Sequence, residues 1–265
     1  MQGGIKMSQY SILWFSGTGN TLLCARALAA ALAEGGAETE LIDIVAAAYW
    51  QPPAETTLIF CWPVYCFGPP RLVRKFIKQM LPGANRVYQL CTLGGDGGGA
   101  MRLTARLLRS KGYQVCGGTE ILMPNNFTGG RIPDAGSIQD LVAAAKVKSG
   151  EFAQYVLKGE HVIQSVSVAD PVTVGGLNWG FRLIQPLLGR MFKLSKEKCT
   201  GCAICVRTCP VDNIAFDSLP RWGKDCELCL RCLHICPQAA IDYMGALKKG
   251  RPQYMAPETD FTKTR

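Results

Sequence analysis

The sequence predicts an α/β chain in two parts: a five-stranded parallel sheet, doubly wound by helices on both faces, and behind it a small α+β module organised by cysteines. Three observations carry this. Short β-rich runs alternate with runs of helical spacing over the first 160 residues, the pattern of parallel strands joined by crossover helices. Of thirteen cysteines, eight crowd between Cys199 and Cys236. A length of 265 residues with 48% apolar and 18% charged residues describes a globular chain with room for two domains.

Taken in order, the strands are expected at Tyr10 to Phe15, Thr39 to Asp43, Thr57 to Trp62, Arg86 to Thr92 and Thr119 to Met123, each rich in β-branched, aromatic or leucine side chains. Helical spacing runs from Asn20 to Glu34, Pro70 to Leu81, Gly99 to Lys111 and Ser137 to Leu157, and Ile44 to Ala54 fits either state. The expected boundaries are 8–160 for the sheet domain, 161–194 for a linker and packing helix, 195–243 for the cysteine module and 244–265 for a basic tail.

In the module, Cys199, Cys202, Cys205 and Cys209 followed by Pro210 spell CxxCxxCxxxCP, and Cys226, Cys229, Cys232 and Cys236 followed by Pro237 repeat it 27 residues later. That spacing wraps three thiolates round one face of a [4Fe–4S] cubane and sends the fourth to the neighbouring cluster. The ligand sets are therefore Cys199, Cys202, Cys205 and Cys236 for one cluster, and Cys226, Cys229, Cys232 and Cys209 for the second. Ile214 and Ile241, also 27 apart, are expected to cover the clusters, and Gly201 to let backbone approach where its counterpart is Leu228. Zinc prefers paired CxxC knuckles with a longer gap, and disulfides belong to exported chains. The formal charge of +9 is offset by two clusters of about −2 each, so it makes no case for nucleic acid.

Directly after the first strand, Ser16-Gly17-Thr18-Gly19-Asn20-Thr21 opens a helix. Free N–H groups, the helix dipole and uncharged hydroxyl and amide donors suit a terminal phosphate. A P-loop would need a lysine here, and a dinucleotide fingerprint a small residue where Leu22 stands. The third strand runs into WPVYCFGPP (62–70) and the fourth into TLGGDGGG (92–99). Aromatic side chains from one and close-approaching backbone from the other, at the carboxyl edge of the sheet, complete an FMN site.

These three loops resemble those of a flavodoxin, the cysteine module resembles the dicluster bacterial ferredoxins over residues 195–243, and the whole chain resembles the EFR1-family flavodoxin–ferredoxin fusions. The resemblance implies a flavodoxin-like sheet carrying an α+β dicluster ferredoxin, with FMN and two [4Fe–4S] clusters. It implies that Ser16, Thr18, Gly19, Asn20 and Thr21 hold the phosphate, Tyr65 stacks on the ring, and Gly94 and Gly95 line its edge. Asn125 and Asn126 either border the site or form a turn. The sheet domain is more basic than flavodoxins, which are acidic.

The function expected is electron relay between clusters and FMN and thence to redox partner proteins. The alternative is an oxidoreductase passing those electrons to a quinone or flavin. No acid–base or nucleophilic constellation and no nucleic-acid motif is present. Without an export signal or spanning segment, the expected location is the cytoplasm. Cys61, Cys66 and Cys91 read as small apolar residues near the flavin, and Arg71, Arg74, Lys75 and Lys78 as a solvated helix face, with a docking patch as the alternative. His161 and His234 receive no role. Val172 to Phe192 reads as a packing segment that sets the clusters over the crevice, with peripheral membrane contact as its alternative, and Lys248, Lys249 and Arg251 as a wrap over the ferredoxin module.

Overall fold

The computed structural model describes residues 9–47, 49–128, 134–165, 171–246, 250 and 252–263. The sheet domain comprises β1 (Gln9–Trp14), α1 (Asn20–Glu34), β2 (Glu38–Asp43), β3 (Thr57–Pro63), α2 (Arg71–Gln79), β4 (Arg86–Leu93), α3 (Ala100–Arg109), β5 (Gln114–Leu122), α4 (Ala135–Lys158) and β6 (Val162–Gln164). All strands are parallel, in the order β2-β1-β3-β4-β5-β6. The order of the first five is that of flavodoxin-like folds.

Strand alternation builds both layers. Ile12, Trp14, Ile59 and Cys61 face α1 and α4, while Leu13, Phe15, Leu58, Phe60 and Trp62 face α2 and α3. Burial on both sides explains why these strands read as continuous apolar runs.

The five expected strands are present, and the sheet gains a sixth. β5 begins at Gln114 rather than Thr119, and β6 pairs with its Gly117–Thr119 stretch. Gly117 has φ 140°, and a Cβ there would stand 1.8 Å from the Val162 carbonyl oxygen. Only glycine admits β6 at that distance, and glycine is what hid this part of β5 from a propensity reading.

A long helix, α5 (Pro171–Leu188), leads through one 3₁₀ turn into β7 (Phe192–Leu194), α6 (Ile204–Arg207), β8 (Ile214–Asp217), β9 (Leu219–Trp222), α7 (Arg231–Ile235) and β10 (Ile241–Tyr243). β7 and β10 pair antiparallel, and β8 and β9 form a hairpin. Phe192, Ile214, Leu233, Ile241 and Tyr243 form this module's core with Cys205, Cys209, Cys226 and Cys232.

The tail does more than wrap the module. Gln253 donates to the carbonyls of Leu233 and Cys236 at 2.8 and 2.7 Å, whereas Ala256 N–H donates to Thr18 O at 2.8 Å and Lys146 pairs with Glu258 at 2.9 Å. It straps both domains together. Lys248, Lys249 and Arg251 lie outside the described residues.

Candidate functional site

The two cysteine repeats fold alike. Residues 27 apart adopt left-handed backbone in pairs: Gly201 and Leu228 (φ 70° and 54°), Ala203 and Leu230 (55° and 59°), Asp212 and Ala239 (48° and 45°). Equivalent amides donate to equivalent sulfurs, Asn213 N–H to Cys209 Sγ and Ala240 N–H to Cys236 Sγ, both at 3.4 Å. Left-handed geometry costs a non-glycine residue about 1–2 kcal/mol, so its recurrence argues that the loop shape is imposed by what the loop encloses.

Each repeat contributes to two cavities in crossed fashion. One is lined by Cys199, Cys202, Cys205 and Cys236 with Ile241; the other by Cys209, Cys226, Cys229 and Cys232 with Ile214. The isoleucines thus lie where the 27-residue repeat puts them. Burial pushes the Cys205 and Cys229 thiols up to about 11 and Cys226 to about 12, with neighbouring cysteines of the same set adding to the rise. Thiols this reluctant to ionise become thiolates when a cation compensates them. Among the described residues no three metal-binding side chains converge on a point fit for a single ion. A cubane, bound at separate corners, makes no such demand.

At the carboxyl edge of the sheet lies a crevice of about 660 Å³, within the range of cofactor sites. It brings together seven of the residues singled out in the sequence, Ser16, Thr18, Asn20, Thr21, Tyr65, Gly94 and Gly95, and is lined also by Cys66, Phe67, Asp96 and Asn125 to Phe127. Gly19 is not among the lining residues. It is the N-cap of α1 at φ 99°, turned to the tail, where a Cβ would meet Thr259 Oγ1 at 2.3 Å.

The loop's side chains are largely engaged in shaping it. Ser16 Oγ accepts from Gly19 N–H at 3.0 Å and Thr18 Oγ1 from Asn126 Nδ2 at 2.7 Å. The hydroxyls of Thr21 and Thr92 share a 2.7 Å bond, and Asn20 donates to Pro124 O and accepts from Tyr254 OH. No side chain caps α1 and no acid lies in its first turn. Its first amides, together with the Ser16 and Thr18 hydroxyl protons, therefore remain to meet an anion.

Gly94 sits against Asn125, where a Cβ would be 2.9 Å from that residue's own Cβ, while Gly95 faces open space. Asn125 makes a turn, accepting from Phe127 N–H. Asn126 links the domains, donating to Thr18 and accepting from His234 Nε2 at 2.9 Å. Because His234 Nδ1 accepts from Tyr254 N–H at 3.1 Å, the imidazole is neutral with its proton on Nε2. Cys61 and Cys91 are buried in the core, and of the three strand-end cysteines Cys66 lines the crevice.

The ferredoxin module closes this crevice. Leu228, Leu230, Tyr243 and Met244 line it together with Phe181 and Leu188 of α5. A Cβ on Gly17 would lie 2.7 Å from the Cys229 carbonyl oxygen and 2.6 Å from Tyr65 OH, so the second cysteine set abuts the loop between β1 and α1. Tyr65 OH is buried there with no hydrogen-bond partner among the described residues, and burial raises its pKa.

Sequence reasoning missed Arg231. It is buried, its guanidinium donates to the carbonyls of Ser16, Gly17 and Thr208 at 2.5, 2.9 and 2.9 Å, and it lies 3.9 Å from the Phe261 ring centroid. A charged residue between the cysteines Cys229 and Cys232 was its only signal. Arg71, read as part of a solvated face, instead docks the module, bonding Cys226 O at 3.0 Å and pairing with Glu227 at 3.4 Å.

Comparison with known proteins bears on both halves. The 4Fe-4S binding domain family matches residues 192–215. An uncharacterized protein of Methanocaldococcus jannaschii is 26% identical over 61 residues, 23% of this chain, and the match spans only 24% of that relative. Similar solved structures include an archaeal flavodoxin (14% identity, TM-score 0.35, 55% of this chain and 99% of that one). A flavodoxin of Megasphaera elsdenii shows 19% identity and TM-score 0.34 over 52% and 98%. An NAD(P)H:quinone oxidoreductase from Methanothermobacter marburgensis shows 12% and 0.38 over 55% and 98%. The strand order and the 4Fe-4S match together make the chain a fusion of a flavodoxin-like α/β domain with an iron–sulfur module, an architecture for redox electron transfer.

Proposed function

We propose that this fusion carries two [4Fe–4S] clusters and one FMN in a single electron-transfer path, and exchanges electrons with redox partner proteins. When bound, the clusters would supply one-electron chemistry and the flavin both one- and two-electron chemistry.

The observation that carries the reading is the contact between the cysteine loop of one set and the flavin crevice. Leu228 and Leu230 line the crevice while Cys226, Cys229 and Cys232, interleaved with them, line the adjoining cavity. The set of Cys209, Cys226, Cys229 and Cys232 would hold the cluster nearer the flavin, and that of Cys199, Cys202, Cys205 and Cys236 the one toward a donor. The α1 amides with Ser16 and Thr18 would bind the phosphate, Tyr65 would pack on the ring, and Gly95 would leave backbone free at its edge. Leu228 and Leu230, both buried, would keep water from between the sites. A second reading, transfer to a small flat acceptor, is favoured by the apolar side chains of Phe67, Phe127, Phe181 and Leu188 around the crevice.

Anaerobic purification with iron, sulfide and flavin analysis tests the proposal. The expected composition is eight iron, eight sulfide and one FMN per chain, with the flavin bleaching as the clusters are reduced. Clusters without FMN after reconstitution would remove the flavin half. Turnover of an added quinone faster than by free FMN would favour the second reading.

A further inference from the structure

The helix α5 leaves an apolar stripe to solvent. Two of its inward residues are buried amides: Asn178 donates to Cys66 O at 2.9 Å and Gln185 to Cys226 O at 3.1 Å. Its outward stripe is apolar, with Leu177, Trp179, Leu183, Ile184 and Leu187 all exposed, Trp179 by 64% and Leu183 by 61%. Gly176 and Gly180 on the same side meet nothing within 4 Å. A contiguous exposed face of this kind marks an interaction site.

Charge identifies what covers it. Residues 71–79 and 171–196 hold eight basic residues and no acidic one, in a chain whose formal total is +9. Arg71 is paired with Glu227, Lys193 stands across the strand pair from Asp242 and Lys196 beside Glu197, whereas Lys75, Lys78 and Arg190 are exposed. Arg182 Nε is buried with no hydrogen-bond partner among the described residues, and Arg182 stands close enough to depress the pKa of half-buried Arg74, beyond the effect of that arginine's burial. An exposed stripe of leucine, isoleucine and tryptophan flanked by arginine and lysine is the composition of a helix that lies in a membrane interface. A second copy of the chain on this face would set arginine against arginine across a two-fold axis. No helix among the described residues is long and apolar enough to cross a membrane.

We propose that α5, with the basic residues of α2 and of the segment after α5, docks the protein onto an anionic lipid surface. The apolar stripe enters the headgroup region and the cations meet lipid phosphates. Phe181 and Leu188 line the crevice from the inner side of the same helix, so docking sets the crevice directly behind the lipid contact.

The test is co-sedimentation of the anaerobically purified holoprotein with vesicles of phosphatidylcholine alone or mixed with an equal part of phosphatidylglycerol. Binding is expected on the mixed vesicles only, weakened by raised salt. It should fall at least about tenfold in a Leu183→Gln/Leu187→Gln variant and in an Arg182→Gln/Arg190→Gln variant. Visible absorbance of the clusters reports that each variant is folded, and the salt series on the unaltered chain stands without them. Equal sedimentation with both vesicle types, none with either, or a dimer in light scattering that the leucine variant dissolves would overturn the proposal, the last in favour of a second copy.

Discussion

Tyr65 is where the sheet-edge crevice and the second cysteine set meet, its ring lining the one and its hydroxyl buried toward the other. A buried hydroxyl without a partner is costly, about 1–3 kcal/mol, so a sulfur acceptor supplied by the cluster would relieve it. Hydrogen bonds to cluster sulfur favour the reduced, more negative state. Tyr65→Phe is therefore expected to leave iron content unchanged and lower one cluster potential by tens of millivolts, read by EPR-monitored titration. An unchanged potential would leave the hydroxyl as packing. Cys24 is a residue of a different kind, on the buried face of α1 with its thiol pushed up to about 12 by desolvation. A folded pKa above the unfolded one gives stability that is complete below the ordinary thiol range and lost as pH rises toward 12. Urea unfolding should show stability declining between about pH 8 and about pH 11, and Cys24→Ala should flatten that decline.

At the scale of elements, the paired left-handed positions and the crossed cavities make a prediction about which cysteines act together. Cys209→Ser and Cys226→Ser should each cost the same cluster, about four of eight irons, and the double variant should lose no more than either. Cys199→Ser combined with Cys209→Ser should lose both clusters. Iron analysis decides, and loss of both clusters from the Cys209/Cys226 pair would show that ligation does not cross. Leu228 replaces the glycine of the first repeat in the same left-handed conformation because its side chain closes the crevice.

For the whole molecule, Arg231 joins the domains. One buried guanidinium satisfies carbonyls of the loop between β1 and α1, Ser16 and Gly17, and of the first cysteine repeat, Thr208. Arg231→Met would leave three carbonyls without that donor, and the expected loss is about 3 kcal/mol, seen as a lower urea midpoint. Because the same bonds hold the phosphate loop, flavin affinity should fall with it, measured by fluorescence of released FMN. Full flavin affinity in a destabilised variant would restrict Arg231 to packing.

The sheet, its helices and the eight cysteines were legible in the sequence because they rest on local signals: apolar runs bounded by turns, and ligand spacing that repeats after 27 residues. Asn20–Glu34 was read to the residue, since a glycine-rich turn and Gly35 bound it. β6 was not legible, because three residues carry no pattern and it depends on the missing side chain of Gly117. Nor were the roles of Arg231, Asn126, His234 and the tail, whose hydrogen bonds join residues far apart in the chain. Spacing along a chain can specify a loop, because a loop's geometry is short-ranged. Which cysteine set abuts the crevice, and which face of α5 is left to solvent, depend on long-range packing and were decided only when the two domains came together.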